Sequence, residues 1–406
     1  MQWFGMKKFN ISIIVMDTMR LDTFNAISRT KGMELSKVGN FMYFDNCIAP
    51  STWTLPSAAS LFTGKYASEH GAHESKNIKC LDIDKIKLKS KTFVSDLNDL
   101  GYHTYAISAN PYVHPVYGFT EFGSFIEESY FTDVFGSVVE VSRKIKPMIA
   151  KYRSVYGTDL LKISTAMLRE DPNLFFEAVA TSAVLTPLAI IKKLKAQLIE
   201  NWPVEKGGKR MVSTSKKLEL KEPFFLFINF MEPHDPYVGA PGKDFNWCTS
   251  FLKKKVDGKL LELWKKLYYK ASLRCYKYTL EVIKDLVKRF GDDQMILLIS
   301  DHGQSFNEHG FVGHGTMLYD EIVKVPFVAM LPKGFDGTKS QQYMSLANVR
   351  EFIFLALKGD KKAARKLYSK NVRAEAFGLP SNISFVKGLD PQKLRKWDKP
   401  RTRIFN

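Results

Sequence analysis

The chain has 406 residues, of which 45% are hydrophobic, 13% aromatic and 25% charged. This balance is typical of a globular protein and excludes a disordered, collagen-like or disulfide-scaffold chain. Lys and Arg number 60 against 42 Asp and Glu, a formal net charge of +18. This positive excess favours an anionic partner. Three kinds are compatible with it: nucleic acid, an anionic membrane surface and an anionic substrate.

The cysteines and the first residues give weaker expectations about the compartment. No CxxC pair is present, so neither a zinc ribbon nor a redox motif is available and reduced thiols are expected. The first 16 residues lack the long apolar stretch and small-residue cleavage site of a signal peptide. We therefore expect a cytoplasmic protein, with membrane association left open.

Three short apolar runs, at 11–16, 223–230 and 295–300, each predict a buried parallel strand. Acids or histidines follow these runs directly: Asp17 after the first, His234 and Asp235 after the second, Asp301 and His302 after the third. Helical patterns at 92–100 and 260–289 fit crossover helices between strands. Open α/β sheets bind ligands at the carboxyl ends of their strands, so one shared site is predicted there.

The region at about 122–221 differs in character and is interpreted as an insertion. Its segment 141–217 holds 15 Lys and Arg against six Asp and Glu, half of the positive excess of the chain. An apolar run at 174–191 lies inside it and is followed at once by three lysines. We favour a buried or lid helix here; the alternative is an interfacial helix held by lysines at anionic lipid.

The chain is therefore divided into a catalytic domain, 1–334, which carries this insertion, and a small C-terminal subdomain, 335–406. In the C-terminal part, the pattern predicts a helix at 345–357 and an extended piece at 372–377.

The stretch at 49–64 carries a candidate nucleophile, Thr54. A Pro-Ser pair and an apolar helix start follow it, which places its hydroxyl near a helix N-terminus, where an anion is favoured. The alternative is that this threonine only caps the helix. An isolated threonine is a weak nucleophile and needs a base or a metal ion.

The residues Asp17, Asp301, His302 and Thr54 together predict a metal site. Carboxylate and hydroxyl oxygens with one imidazole form a mixed N/O set for one divalent cation, Mn, Mg, Ca or Zn. The cation would lower the pKa of the threonine hydroxyl and neutralise an oxygen of a phosphate or sulfate ester. For an Asp-His-Gly motif alone, a turn with a solvated histidine is the alternative.

Taken in order, these motifs resemble the sulfatases of the alkaline phosphatase superfamily. The matching segments are 13–22, 49–64, 101–104, 224–237, 300–315, 318–321 and 325–326. The resemblance implies an α/β sandwich with a mostly parallel sheet, helices on both faces and a small C-terminal subdomain. It also implies metal ligands at Asp17, Asp301 and His302, a nucleophile at Thr54, and oxyanion or leaving-group contacts from His234 and His314.

The departures from that family pattern concern the nucleophile and its surroundings. Sulfatases use a Cys or Ser that becomes formylglycine, with an arginine four residues on; here these positions are Thr54 and Ala58. The usual lysine is Ala109, and the usual second aspartate is Thr18. This pattern is more similar to the phospho-transferring branches, such as lipoteichoic acid synthases and nucleotide pyrophosphatases.

Three further residues, Asn110, Lys65 and Arg20, are candidates for holding substrate oxygens. The predicted function is a metal-dependent hydrolase or transferase that cleaves a phosphate, phosphonate or sulfate ester through a threonine nucleophile. The alternatives are a sulfuric ester hydrolase and a catalytically silent protein that binds a membrane surface. The predicted partners are an anionic ester substrate and an anionic membrane or lipid contacted by the insertion. Nucleic acid is disfavoured because no DNA-binding or stacking motif accompanies the charge.

Overall fold

A central β-sheet organises the molecule, seen here in a computed structural model. The structure describes residues 6–128, 160–173, 175–176, 179–180, 206–238, 257–337, 340–380 and 397–406. Within these ranges the sheet has seven strands in the spatial order β2-β10-β7-β1-β6-β4-β5. They are β1 (Ile11–Met16), β2 (Phe41–Phe44), β4 (His103–Ser108), β5 (Ser124–Glu127), β6 (Phe224–Phe230), β7 (Met295–Ile299) and β10 (Phe327–Met330).

Strand direction confirms the prediction of a mostly parallel sheet. The five strands from β7 to β5 are parallel to their neighbours, whereas β10 runs antiparallel to both β7 and β2. In the register of the sheet, Ile14 of β1 lies between Ile228 and Leu298. Six short strands lie outside this sheet: β3 (Cys47–Ile48), β8 (Ser305–Phe306), β9 (Val312–Gly313), β11 (Met344–Ser345), β12 (Val372–Ala376) and β13 (Arg401–Phe405).

Helices cover both faces of the sheet, as predicted. The α-helices are α1 (Leu21–Ser28), α2 (Thr54–Thr63), α3 (Ala67–His70), α4 (Ile83–Ile86), α5 (Phe93–Asp99), α6 (Leu160–Glu170), α7 (Gly208–Lys217), α8 (Gly258–Phe290), α9 (Asp320–Val323) and α10 (Val349–Leu357). Side chains of α2, α5 and α10 share one core with Ile13 and Val15 of β1. Side chains of α1, α7 and α8 share the other core with Ile14 and Met16. This alternation follows from the two-residue period of a strand.

Most of the predicted elements are present. The strands at 11–16, 223–230 and 295–300 and the helices at 92–100 and 260–289 are found within two residues of the predicted limits. At 345–357 a 3-10 turn, Leu346–Asn348, precedes α10, and the extended piece at 372–377 is β12, paired with β13. No helix among the described ranges has the length and apolar character needed to span a bilayer. Most of the apolar run at 174–191 lies outside those ranges, and the division at residue 334 stays a prediction.

An aromatic cluster anchors α2 to the sheet. Phe62, which is fully buried, stacks on Phe93 of α5 with ring centroids 5.3 Å apart and meets Phe227 of β6 edge-on at 5.0 Å. Such pairs add to the free energy gained by burying the rings. The orientation of α2, which begins at Thr54, therefore depends on this packing.

We expect Phe62→Ala to lower the free energy of unfolding by about 3–5 kcal/mol, because it removes a fully buried ring and leaves a cavity. Urea denaturation followed by circular dichroism measures this. The matched control is Phe176→Ala, because that ring is 62% exposed and its loss should change stability by less than about 0.5 kcal/mol. Equal losses in the two variants would contradict the packing described here.

Candidate active site

Four adjacent parallel strands, in the order β7, β1, β6 and β4, bring their carboxyl ends to one edge of the sheet. The functional candidates follow these ends directly: Asp301 and His302 after β7, Asp17 after β1, His234 and Asp235 after β6, and Asn110 after β4. Because the strands are neighbours, residues far apart in sequence meet at this edge. The predicted shared site is thus formed geometrically.

The first group at this edge consists of Asp17, Asp301 and His302, all buried. His302 Nε2 lies 3.7 Å from Asp17 Oδ1 and 3.6 Å from Asp301 Oδ2. Both of these carboxylate oxygens are buried and accept no hydrogen bond from the described part of the chain. One donor atom from each of the three residues falls within 4.8 Å of the others. This set of donors therefore fits a divalent cation.

Burial controls the protonation of this group. It raises the pKa of Asp17 to about 7, with a further contribution from the charge of Asp301, and it raises the pKa of Asp301 to about 7. Burial likewise lowers the pKa of His302. The Nδ1 atom of His302 lies 3.0 Å from the carbonyl oxygen of Gly303 and donates to it. The lone pair of Nε2 is therefore directed toward the two carboxylates, as in a metal-ligating histidine.

Thr54 is the first residue of α2, and the N-cap position is held by Trp53, which makes no side-chain cap. The Thr54 hydroxyl donates to Asp17 Oδ2 at 3.2 Å and lies 3.4 Å from His302 Nε2. Asn110 Nδ2 donates to the same hydroxyl at 3.0 Å and also to Asp17 Oδ2. The hydroxyl thus points into the carboxylate group instead of capping its own helix.

The residue before the threonine is held by a buried acid. Trp53 Nε1 donates to Glu74 Oε2 at 2.7 Å, and the other oxygen of Glu74 accepts from the backbone N–H of Phe377 at 2.9 Å. Burial raises the pKa of Glu74 to about 7. Through these bonds the chain that follows β12 fixes the start of α2, and with it the position of Thr54.

Thr18 stands where the family pattern has a second aspartate, and its backbone is in the left-handed region, with φ of 58°. This conformation is costly for a β-branched residue. Its N–H donates to Asp301 Oδ1 at 3.3 Å, and its hydroxyl donates to the carbonyl of Asp17 at 2.7 Å. The hydroxyl thus makes a bond within its own turn. These bonds hold the strained turn that directs Asp17 into the site.

A second group, His234, Asp235 and His314, lies beside the first. It is also a set of side chains able to hold a metal, and the rings of His314 and His302 are 4.6 Å apart. His234 Nδ1 lies 2.5 Å from the Asp235 carbonyl, and His314 Nδ1 lies 2.6 Å from Gln304 Oε1. With Nδ1 as the donor in each ring, both Nε2 atoms keep a lone pair. The predicted count of one metal ion stays a prediction, because this group provides a second place for a cation.

Burial also sets the charge of these histidines. It lowers the pKa of His234 to about 3, with a further contribution from Lys206, and it lowers the pKa of His314 well below its usual range. Both rings are therefore neutral at pH 7. As neutral rings with Nδ1 as the donor, they can accept a hydrogen bond or bind a cation through the Nε2 lone pair.

Lys206 is a site residue that the sequence did not single out. It is 1% exposed, and its ammonium donates to the carbonyl oxygen of His234. Burial lowers its pKa to about 8, against the attraction of the nearby carboxylates, first Asp235 and then Glu232. In the sequence it is one of 15 basic residues at 141–217, so nothing there marks it as buried.

The other two substrate-binding candidates differ in position from Asn110. The guanidinium of Arg20 is paired with Asp22 at 2.6 Å and with Glu308 at 2.5 Å, so its donors are engaged at the rim. The structure does not bring Lys65 to the site. It is exposed, just beyond the C-terminal end of α2, about 15 Å along the helix from Thr54. Lys65 is close to Thr54 in the sequence, but the length of α2 separates the two residues in space.

We expect added Zn²⁺ or Mn²⁺ to raise the melting temperature, since a cation that binds only the folded state at 100 times its Kd contributes about 2.7 kcal/mol. Binding requires ionised carboxylates, and the pKa values of Asp17 and Asp301 are raised to about 7. Protons therefore compete with the metal at pH 5.5, and the rise should be larger at pH 8. Without metal, the raised pKa values mean that the folded state binds more protons than the unfolded state between about pH 4 and 7. The two carboxylates therefore contribute less to the free energy of unfolding as the pH rises through that window.

Differential scanning fluorimetry with and without chelator measures this effect. The matched variant is Asp301→Asn, which keeps the shape of the side chain and removes its charge, and it should abolish most of the metal-dependent rise. A rise that is the same at both pH values and in this variant would place the metal elsewhere.

The comparisons with known proteins agree with this geometry. The sequence model of the sulfatase family matches residues 10–157 and 206–357. Among solved structures, the phosphonate monoester hydrolase from Silicibacter pomeroyi is similar at 13% identity and a TM-score of 0.56, over 98% of this chain and 85% of that one. The zinc complex of the C-terminal periplasmic domain of EptC from Escherichia coli is similar at 12% identity and a TM-score of 0.50, over 87% and 83%. A 2-O GAG sulfatase is similar at 14% identity and a TM-score of 0.54, over 91% and 78%. At these identities the solved structures show a shared fold, whereas the family match covers most of the chain. The chain belongs to the sulfatase family of ester-cleaving enzymes.

Proposed function

We propose that this protein cleaves a phosphate or phosphonate ester by nucleophilic attack of Thr54. The observation that carries the proposal is the direction of the Thr54 hydroxyl. It donates to Asp17 at 3.2 Å and accepts from Asn110 at 3.0 Å, 3.4 Å from His302 Nε2. A threonine that only begins a helix has no reason to face two buried carboxylates.

Asp17, Asp301, His302 and Thr54 would hold a divalent cation, and their two unsatisfied carboxylate oxygens support this. Such a cation would lower the pKa of the Thr54 hydroxyl, whose proton would be lost to solvent, and would neutralise an oxygen of the ester. The zinc in the solved EptC domain supports zinc as one candidate beside Mn, Mg and Ca.

In the first step, Thr54 Oγ1 forms a bond to phosphorus, and the bond from phosphorus to the leaving oxygen breaks, with its electron pair leaving on that oxygen. Asn110 orients the nucleophile through its bond to the hydroxyl oxygen. Phosphoryl transfer depends mainly on positioning and charge neutralisation, which these residues supply. The product of this step is a threonine ester.

In the second step, water or an alcohol attacks the same phosphorus, and the bond to Thr54 Oγ1 breaks. The proton of the attacking molecule passes to Thr54 Oγ1 as that bond breaks, which restores the hydroxyl, while the neutral rings of His234 and His314 accept a hydrogen bond from the attacking molecule at Nε2. Because Nδ1 of each ring already carries the donated hydrogen, Nε2 has no proton to give to the leaving group in the first step. The two histidines are therefore hydrogen-bond acceptors that orient the attacking molecule in the release step.

A sulfuric ester hydrolase is the second candidate, because the family match itself favours it. Two residues argue against it. The formylglycine route of the family needs an oxidisable Cys or Ser at position 54, which is a threonine here, and an arginine at position 58, which is a buried alanine. A catalytically silent protein that binds an anionic membrane surface is the third. Hydrolysis of nitrophenyl sulfate and of a nitrophenyl phosphodiester or phosphonate, with metal added and chelated, separates the three.

We expect metal-dependent turnover of the phosphorus ester and little turnover of the sulfate. Thr54→Ala should lower kcat by at least about 1,000-fold, because it removes the nucleophile, and Thr54→Ser should retain part of the activity. Thr63→Ala is the matched control at the other end of α2, where the hydroxyl donates to the carbonyl of Ala59 and accepts from the N–H of Lys65, and it should keep wild-type kcat. Full activity in Thr54→Ala would disprove the nucleophile, and no metal-dependent turnover of either ester would favour the silent protein.

A further inference from the structure

The long helix α8 carries a straight row of lysines on its outer surface. Six exposed lysines, hereafter the lysine row, follow the helix from end to end: Lys259, Lys266, Lys270, Lys277, Lys284 and Lys288. Their spacings of 7, 4, 7, 7 and 4 residues place all six within about 20° of one line along a helix of 3.6 residues per turn. The row spans about 44 Å, at 1.5 Å per residue.

The opposite side of α8 is buried against the sheet. Trp264, Tyr268, Cys275 and Leu286 face the core, and their helical positions lie about 140–180° from the lysine row. The row is therefore the ridge of this helix that projects farthest from the protein body. All six ammonium groups lie on one nearly straight outer edge.

The row has a single sign of charge. Glu262 and Glu281 lie at i,i+4 spacing from Lys266 and Lys277, a spacing that stabilises a helix, but their carboxylates pair with Lys265 and Lys216 instead. Here Lys266 with Lys270, and Lys284 with Lys288, are like-charged pairs at that spacing, which destabilise an isolated helix. None of the six forms an ion pair with a carboxylate in the described ranges. The six ammonium groups of the row are therefore exposed to solvent and not neutralised by the described carboxylates.

The neighbouring helix extends the same charge. α7 packs beside α8, where Arg289 donates to the carbonyl oxygen of Leu218 at 2.7 Å. It contains no acidic residue and adds exposed Lys209 and Lys217. Both α7 and α8, which pack on this face of the sheet, thus carry exposed lysines.

We propose that the lysine row is a docking surface for an anionic lipid bilayer. A plane can meet six collinear lysines at once, and a lysine near an anionic leaflet gains on the order of five-fold in the binding constant. A nucleic-acid duplex fits less well, because its phosphate strands make one full turn around the helix axis in about 34–36 Å. A straight row of about 44 Å could not follow one strand, so some of its lysines would lose contact with the phosphates. The surface lies mainly on α8, whereas the sequence favoured the insertion at 122–221 for a lipid contact.

Docking on this surface would hold the catalytic edge close to the membrane. The Tyr268 hydroxyl, on the buried side of α8, donates to the carbonyl of Thr18 and accepts from the N–H of Arg20, both at 2.8 Å. The helix that carries the lysine row is thereby bonded to the turn that positions Asp17. The inference does not rest on the proposed chemistry, because binding is measured without turnover.

The experiment is co-sedimentation of the full chain with vesicles of phosphatidylserine in phosphatidylcholine, compared with phosphatidylcholine alone, at about 0.1 M salt. The test variant replaces Lys266, Lys270, Lys277 and Lys284 by Gln. The matched control replaces Lys358, Lys361, Lys362 and Lys370 by Gln, four exposed lysines outside α8, and removes the same charge. Circular dichroism verifies the helix, and turnover of a soluble ester should be unchanged in both variants.

We expect the wild-type chain to sediment with anionic vesicles only. The test variant should lose at least roughly 100-fold in affinity, at about five-fold per lysine, and the control less than about a tenth of that loss. Equal losses in the two variants would show a general effect of net charge and overturn the docking surface. Wild-type binding to duplex DNA without binding to vesicles, or no binding to anionic vesicles, would overturn it as well.

Discussion

Two buried carboxylates of like charge impose the constraint on which the site depends. Asp17 and Asp301 follow the neighbouring strands β1 and β7, and burial raises the pKa of each to about 7. A buried acid must be neutralised by a proton, a cation or hydrogen bonds. The Asn110 amide and the Thr54 hydroxyl contact Asp17, while the Nε2 lone pair of His302 lies between the two acids. The same arrangement that makes the burial of two acids costly makes these side chains suited to a cation.

The rest of the fold serves to hold this arrangement. Aromatic packing of Phe62 fixes one end of α2 against the sheet, and the bonds of Trp53 to Glu74 fix the other. On the opposite face of the sheet, Tyr268 of α8 bonds the strained turn at Thr18. Thr54 and Asp17 are thus each supported by the helix layer on their own side. Small displacements of either layer would change the distance between Thr54 and Asp17.

The sequence predicted the strands and the first group of site residues because both are expressed locally. An apolar run followed by Asp17, or by Asp301 and His302, predicts both a buried strand and polar side chains at its carboxyl end. Three features depend on which distant segments meet, and no local pattern encodes that: the antiparallel β10, the burial of Lys206 and the bond from His314 to Gln304. The position of Lys65 was misjudged because the length of α2 lies between it and Thr54. The lysine row is visible in the sequence only once the helix is known to be continuous over 33 residues.

The central claim is that Thr54 becomes covalently modified during turnover. The most direct measurement is mass spectrometry of peptides from enzyme that is acid-quenched while it turns over a phosphodiester or phosphonate ester with metal present. The account predicts the added mass of the phosphoryl or phosphonyl group on the peptide that contains Thr54, and its absence in Thr54→Ala. An adduct on another residue, or turnover by wild-type enzyme with no adduct at any quench time, would contradict it.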